Sequence, residues 1–294
     1  GSVTPMGDFG NKRVIVGSVA GPGSKNLGNR LIARSTLRLL GLDESTPSFS
    51  VFERISESRL EFINSHDYVV ITGGTSLQDD PGHQACFDAQ FGRIRIPRVC
   101  VGGSFYCEPG DRPSLRIARL FDTPVGARDP WTADYLGRHG IDCELVGCPT
   151  LLAGPEVGCW QDGEGAVLVS SSPELAVDLA PLLHGRPVRH LRHEAGDRGE
   201  DPGEAGAFDG ASLVVTGRLH AALPAIGRGV RVRFFGPDRW RADLRAYGWG
   251  TVRYTLLRHL GIRLDGAPNR DYPGAAIRRL RSSFTSWLAR AVSA

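Results

Sequence analysis

Residues 212–235 read SLVVTGRLHAALPAIGRGVRVRFF and contain the pattern from which we infer the fold. An apolar run ends at Gly217, and a short segment rich in alanine and leucine follows it. Gly227 and Gly229 then separate this segment from a second run of β-branched and aromatic residues. The pattern predicts a strand, a helix and a second strand in one compact βαβ unit.

Three residues of this unit stand where a ligand is expected, namely Arg218, Leu219 and His220. Ligands of parallel sheets bind beyond the carboxyl ends of the strands, and the free N–H groups that open a helix attract anions. These residues are therefore candidates for holding a phosphate or a carboxylate. An arginine and a histidine at a helix start can also serve as a solvated cap or a structural hydrogen bond, and from spacing alone both interpretations stay open.

The composition indicates an ordinary globular protein that acts on small anionic molecules. The 294 residues, 41% of them hydrophobic, suit one large or two medium domains. No apolar run approaches the ~18 to 20 residues that span a bilayer, and no leader pattern is visible, so we expect a cytoplasmic protein. The net charge of +3, without a basic patch interleaved with aromatic residues, argues against a nucleic-acid partner.

Cysteine and histidine spacing gives no sign of a disulfide framework or a metal site. The six cysteines lie outside any C-x-x-C pair, and we interpret them as reduced, mostly buried thiols. The histidines lack cysteine or acidic partners at the spacing of ligands, so no metal is predicted.

The first half of the chain alternates strands with helices. A strand at 13–18 precedes a polar, glycine-rich loop and a helix over 27–40. The loop spacing matches neither a Walker A motif nor a dinucleotide fingerprint, so it supports neither ATP nor NAD, and no cofactor is predicted. A second strand runs into Gly73, Gly74 and Thr75, where small residues allow either close approach of a ligand or simply a tight turn.

The remaining alternation predicts a doubly wound parallel sheet followed by a second one. Pro124–Asp129 precedes a helix from about Pro130 to His139, and the glycine-, proline- and acid-rich segment 151–165 marks a linker. We therefore expect an N-terminal domain over 3–150 and a C-terminal domain over 166–274. In the second domain, helices are also predicted over 173–183 and after Phe235.

The C-terminal segment 275–294 is predicted to be a basic amphipathic helix. Six apolar residues share one face, namely Ile277, Leu280, Phe284, Trp287, Leu288 and Val292. We favour packing of this face against the protein, with peripheral contact to an anionic membrane as the alternative.

Two segments, Gly126-Ala127-Arg128-Asp129 and Gly217-Arg218-Leu219-His220, resemble the polysaccharide pyruvyl transferase family. Its members act in polysaccharide biosynthesis and move a pyruvyl group from phosphoenolpyruvate to a sugar. The resemblance implies a GT-B-like architecture, in which two Rossmann-like, doubly wound domains face a cleft, the first on the acceptor side and the second on the donor side.

The resemblance also implies further site residues. Where the family often has Asn-x-Gly-Asp, this chain has Asn26-Leu27-Gly28-Asn29, and where it has Gly-Gly-Gly this chain has Gly73-Gly74-Thr75. Asn26 and Asn29 are then expected to contact the acceptor, although Asn29 lacks the charge of the family's aspartate.

These features together lead to a functional hypothesis. Arg128 and Arg218 anchor the phosphate and carboxylate of phosphoenolpyruvate, and His220 moves the proton, so all three are predicted to be catalytic. The acceptor is a glycan or a smaller hydroxylated molecule, and the oligomeric state stays open. The alternatives are a glycosyltransferase that uses a nucleotide sugar and a catalytically inactive relative that only binds ligand.

Overall fold

A computed structural model of the chain describes residues 5–6, 9–18, 20, 27–74, 76–77, 79, 89–170, 183, 185–192, 207–235 and 251–293. The predicted site residues Asn26 and Thr75 lie outside these ranges. So do nearly all of the helix predicted over 173–183 and most of the one predicted after Phe235.

The first half of the chain forms a parallel sheet of six strands. In chain order these are β1 (Val14–Ser18), β2 (Ser48–Ser50), β3 (Tyr68–Gly74), β4 (Arg98–Gly103), β5 (Val125–Ala127) and β6 (Cys143–Leu145). Their spatial order is β2-β1-β3-β4-β5-β6, which reverses direction between β1 and β3. This is the flavodoxin-like variant of the doubly wound fold, and its topological switch point lies between β1 and β3.

Helices cover both faces of this sheet. They are α1 (Leu27–Leu39), α2 (Glu57–Asn64), α3 (Pro130–Arg138) and α4 (Pro149–Leu152), with short 3₁₀ turns at Ala89–Arg93 and Ala118–Leu120. Successive β3 residues alternate between two cores, because Val70 joins the cluster on the α1 side while Val69 joins the cluster on the α2 side. The strands are therefore buried on both faces, as parallel sheets require.

The second half of the chain forms a parallel sheet of four described strands. These are β7 (Gly165–Ser170), β8 (Val188–Arg192), β9 (Ala211–Thr216) and β10 (Arg231–Phe234). The spatial order β10-β9-β7-β8 places the switch point between β7 and β9. Helix α5 (Leu219–Gly227) connects the neighbouring strands β9 and β10, so the βαβ unit predicted from 212–235 is confirmed.

The two sheets share one continuous hydrophobic core. A single cluster of buried side chains includes Val101 of the first sheet and Val214 of the second. Helix α5 packs directly on the chain after α4, because a Cβ atom at Gly154 would lie 2.9 Å from the carbonyl oxygen of Gly227. The predicted linker therefore begins inside a structured segment, since Leu151 of α4 is fully buried in the shared core.

The last part of the chain returns to the first sheet. It contains a 3₁₀ turn at Val252–Tyr254, helix α6 (Thr255–His259) and helix α7 (Gly274–Ser293). The indole Nε1 of Trp287 donates to the carbonyl oxygen of Pro124 at 2.7 Å, and Arg290 pairs with Glu144 at 2.6 Å. Most of the predicted apolar face of α7 is buried, so it packs against the protein, as the sequence favours.

The α/β class with two parallel sheets is thus confirmed, while the finer GT-B arrangement and the domain boundaries stay predictions. None of the helices among the described residues is long and apolar enough to cross a membrane.

Candidate active site

The Arg-Leu-His run lies at the switch point of the second sheet, directly after β9. Arg218 occupies the N-cap position of α5, and its backbone N–H donates to Oγ1 of Thr216 at 2.9 Å. Leu219 is buried, as is every later residue of α5 except His220, which is half-buried like Arg218. The helix start therefore presents one cationic and one titratable side chain beside N–H groups that attract anions.

The glycine pair after the second predicted strand, for which the sequence left ligand approach and a tight turn open, extends that strand. Gly73 and Gly74 are the last two residues of β3 and are buried. A Cβ atom at Gly73 would lie 2.6 Å from the carbonyl oxygens of Val101 and Gly102, so glycine permits close packing against β4. Gly74 has a φ of 107°, which L-residues with a side chain rarely adopt.

Asn29 lies half-buried in the first turn of α1, which follows β1. Because β1 and β3 flank the switch point of the first sheet, Asn29, Gly73 and Gly74 are all found at that crevice.

Arg128 is a buried residue in the first sheet. Its backbone N–H donates to the carbonyl oxygen of Gly103 at 2.8 Å, directly after β5. The guanidinium Nη2 donates to Oγ of Ser104 at 2.7 Å, and Nε lies 3.8 Å from the carboxylate of Asp129. Only 1% of Arg128 is exposed, so its cation is held in fixed geometry and shielded from water.

The carboxylate of Asp129 accepts hydrogen bonds from three neighbouring residues. One carboxylate oxygen accepts from Oγ of Ser104 at 2.7 Å. The other accepts from the backbone N–H of Thr132 at 2.9 Å, which caps the start of α3, and from Oγ1 of Thr255 at 3.4 Å. Asp129 is 0% exposed, so its charge is balanced by Arg128 and by hydrogen bonds rather than by water.

Sequence reasoning did not assign Ser104, Asp129 or Thr255 to the site. The available signals were the small-residue run that ends at Ser104 and the aspartate next to Arg128. Nothing local marks Thr255, which lies 126 residues from its partner Asp129 in the chain.

A returning segment contacts the carboxyl ends of both sheets. The ring of Tyr254 lies 5.6 Å from that of Phe234, the last residue of β10. The next residue, Thr255, contacts Asp129 after β5. Since consecutive residues contact the two ends, the carboxyl edges of the sheets lie on the same side of the molecule. The predicted site residues that the structure describes therefore form three groups on that side, around Asn29, Arg128 and Arg218.

The buried thiols near this region are not suited to nucleophilic chemistry. Burial raises the pKa of Cys100 to about 12, and burial together with Asp111, Asp129 and Glu108 raises that of Cys107 to about 12. Burial also raises the pKa of Cys148, against the opposing charge of Arg128. These thiols stay protonated at neutral pH, and the five described cysteines are free. Across the described ranges, no group of three or more histidine, cysteine or acidic side chains is placed to hold a metal.

Comparison with known proteins finds a family match mainly within the first half of the chain. A family model described as polysaccharide pyruvyl transferase matches residues 26–164. The matched range includes Asn29, Gly73, Gly74 and Arg128, whereas Arg218 and His220 lie beyond it. No curated protein matches the chain. The resemblance inferred from the sequence is thereby confirmed for residues 26–164, and the match to this family indicates a transferase enzyme.

Proposed function

We propose that the protein transfers a pyruvyl group from phosphoenolpyruvate to a hydroxyl of a sugar-containing or other hydroxylated acceptor. The product is a ketal or an enol ether. The observation that carries this proposal is the placement of Arg218 and His220, half-buried, at the start of an otherwise buried helix and at the switch point of the second sheet.

Binding of the donor requires cationic groups for its phosphate and its carboxylate. Arg218 supplies a two-pronged guanidinium beside the N–H groups of α5, which together stabilise the charge of a leaving phosphate. We assign Arg128 as the second cation. Because it is buried and paired with Asp129, we expect it to act as a fixed charge behind the donor rather than as a side chain that swings onto it.

Proton transfer is the role that we propose for His220. The methylene carbon of phosphoenolpyruvate gains a proton, which creates an oxocarbenium-like centre that an acceptor hydroxyl attacks while its own proton is removed. Inorganic phosphate then leaves this adduct, and either a second acceptor hydroxyl adds to give a ketal or a methyl proton is lost to give an enol ether. Histidine has an ordinary pKa that suits both tasks near neutrality. The partial positive charge at the start of α5 favours the neutral imidazole, so we propose that His220 is the base that deprotonates the acceptor.

His220→Gln is expected to lower kcat about 100-fold while phosphoenolpyruvate still binds, because the amide can donate a hydrogen bond but cannot transfer a proton. His220→Ala is expected to behave in the same way. Steady-state kinetics and donor titration provide the measurement. His139→Gln, an exposed histidine at the C-cap of α3, is the matched control and should leave kcat unchanged. Near-native turnover of the glutamine variant would show that His220 only positions the substrate.

The function itself is tested by thermal shift against phosphoenolpyruvate and a panel of nucleotide sugars. A ligand at a hundredfold excess over its Kd stabilises the folded state by about 2.7 kcal/mol, which a melting curve detects. We expect stabilisation by phosphoenolpyruvate, followed by a mass increase of one pyruvyl group on candidate glycans and hydroxylated metabolites. Stabilisation by nucleotide sugars alone would indicate a glycosyltransferase, and donor binding without transfer to any acceptor would indicate an inactive relative.

A further inference from the structure

A pocket lies at the opposite end of the helices α1 and α5 from the candidate active site. It has a volume of about 180 Å³ and is lined by the later turns of α1, the chain at α4 and the end of α5. A single water molecule needs only roughly 10–15 Å³ of such space, so the pocket can hold a small ligand. Because α1 belongs to the first sheet and α5 to the second, a ligand here would touch both halves of the chain.

The side chains that line this pocket carry a net positive charge. Arg34 and Arg38 extend from α1, Arg228 follows α5, and Glu44 is the one acidic side chain among the described lining residues. Glu44 lies 3.5 Å from Arg34, and its side chain is 80% exposed, so it sits at the rim. Two guanidinium charges, those of Arg38 and Arg228, are therefore not offset by a lining carboxylate.

Arg228 is held in place at the inner side of the pocket. Its Nη1 donates to the carbonyl oxygen of Pro224 at 3.3 Å, and its guanidinium lies 5.7 Å from the ring centre of Phe208. Burial lowers the pKa of Arg228, the neighbouring charge of Arg38 lowers it further, and the carboxylate of Asp209 opposes both effects in part. A partly buried cation next to a second cation is unfavourable in isolation, and an anion bound between them would offset that repulsion.

Two hydroxyl groups complete the lining. Ser35 on α1 is 6% exposed, and Thr150 on α4 is 2% exposed. Hydroxyls can donate to an oxyanion, and guanidinium groups bind phosphate oxygens in pairs. The lining therefore combines two guanidinium groups with two hydroxyls, of which Thr150 Oγ1 also contacts Sγ of Cys148 at 3.2 Å. Guanidinium and hydroxyl groups together are the chemistry that recognises a tetrahedral oxyanion.

We propose that this pocket binds a small oxyanion, either inorganic phosphate or the phosphate group of a small ester, between Arg38 and Arg228. The anion bridges α1 and α5 and so strengthens the contact between the two halves of the chain. This site is separate from the candidate active site, and the proposal does not depend on pyruvyl transfer.

The experiment is isothermal titration calorimetry of the full chain with inorganic phosphate and with methyl phosphate, without donor or acceptor. Arg38→Gln is expected to weaken binding of both probes at least about tenfold, because a charged hydrogen-bonding partner is lost. Arg95→Gln, which removes the same charge from an exposed position elsewhere, is the matched control and should bind like the wild type. Tighter binding of methyl phosphate would identify an ester as the ligand, and tighter binding of inorganic phosphate would identify the free ion.

Hydrogen exchange locates the bound anion, since phosphate could also occupy the candidate active site. We expect phosphate to protect backbone amides in 31–38 and 224–229. Protection confined to 216–222, or an affinity that Arg38→Gln leaves unchanged, would overturn the proposal. Glu44→Gln provides a second variant in case Arg38→Gln does not fold. Removal of the rim carboxylate should tighten phosphate binding about two- to threefold, and an unchanged or weaker affinity would contradict the assigned site.

Discussion

Asp129→Asn is expected to lower the free energy of unfolding by about 3–5 kcal/mol, because it leaves the buried guanidinium of Arg128 without its counter-charge. Both side chains are almost fully buried, at 1% exposure for Arg128 and 0% for Asp129. Asparagine is as good an N-cap as aspartate and can still accept from the Thr132 N–H, so loss of the α3 cap is not the cause. The effect therefore reports the lost charge together with the hydrogen bond from Ser104, because the NH₂ group that replaces the second carboxylate oxygen cannot accept.

Chemical denaturation of the variant measures this loss. The double variant Arg128→Met with Asp129→Asn removes both charges and should recover a large part of the stability, since no uncompensated ion remains. Ser56→Ala is the control for an ordinary cap, because Oγ of Ser56 accepts from the Arg59 N–H at 3.3 Å on an exposed helix start. It should cost about 1 kcal/mol. If Asp129→Asn cost no more than this control, the ion pair would not be a structural element of the site.

Arg218→Lys is expected to remove ~2 to 4 kcal/mol of transition-state stabilisation, seen as a higher KM for phosphoenolpyruvate and a lower kcat. Lysine keeps the positive charge but loses the planar fork that matches a phosphate or a carboxylate. The backbone hydrogen bond from Arg218 to Thr216 does not involve the side chain, so the helix start should persist in the variant.

Steady-state kinetics with varied phosphoenolpyruvate, together with a melting curve, measures this effect. The melting temperature should change little, which separates a binding role from a structural one. Arg138→Lys makes the same substitution at an exposed site on α3 and serves as the control. Kinetic constants of the wild type in the Arg218→Lys variant would refute a bidentate role and leave the cationic group that binds the donor directly unassigned.

Local sequence patterns predicted most described strands and helices. Short apolar runs in the sequence coincide with the strands β1 and β9 and with helix α5. Such runs can be recognised because they depend only on residues close together in the chain. Helix α2 was missed. Its buried residues are Leu60 and Ile63, whereas Phe62 is 50% exposed, so its apolar residues do not define one face.

The glycines at the end of β3 show where local reasoning falls short. A run of small residues after a strand fits both a ligand-approach loop and a tight turn. In the structure Gly73 has a different role, because the absence of a side chain allows the neighbouring strand β4 to pack closely against it. That neighbour is specified by the strand order β1-β3-β4, which no short window of sequence contains.

The sequence by itself determined the α/β class, the position of Arg218 and His220 at a helix start, and the resemblance to the family whose model matches residues 26–164. These are properties of short segments, in which apolar spacing and glycine placement restrict the backbone directly. The tertiary structure alone decided that Arg128 is buried with Ser104 and Asp129, and that Arg38 and Arg228 share a pocket. Charges interact through space, so their partners depend on strand order and helix packing, which bring together residues far apart in the chain.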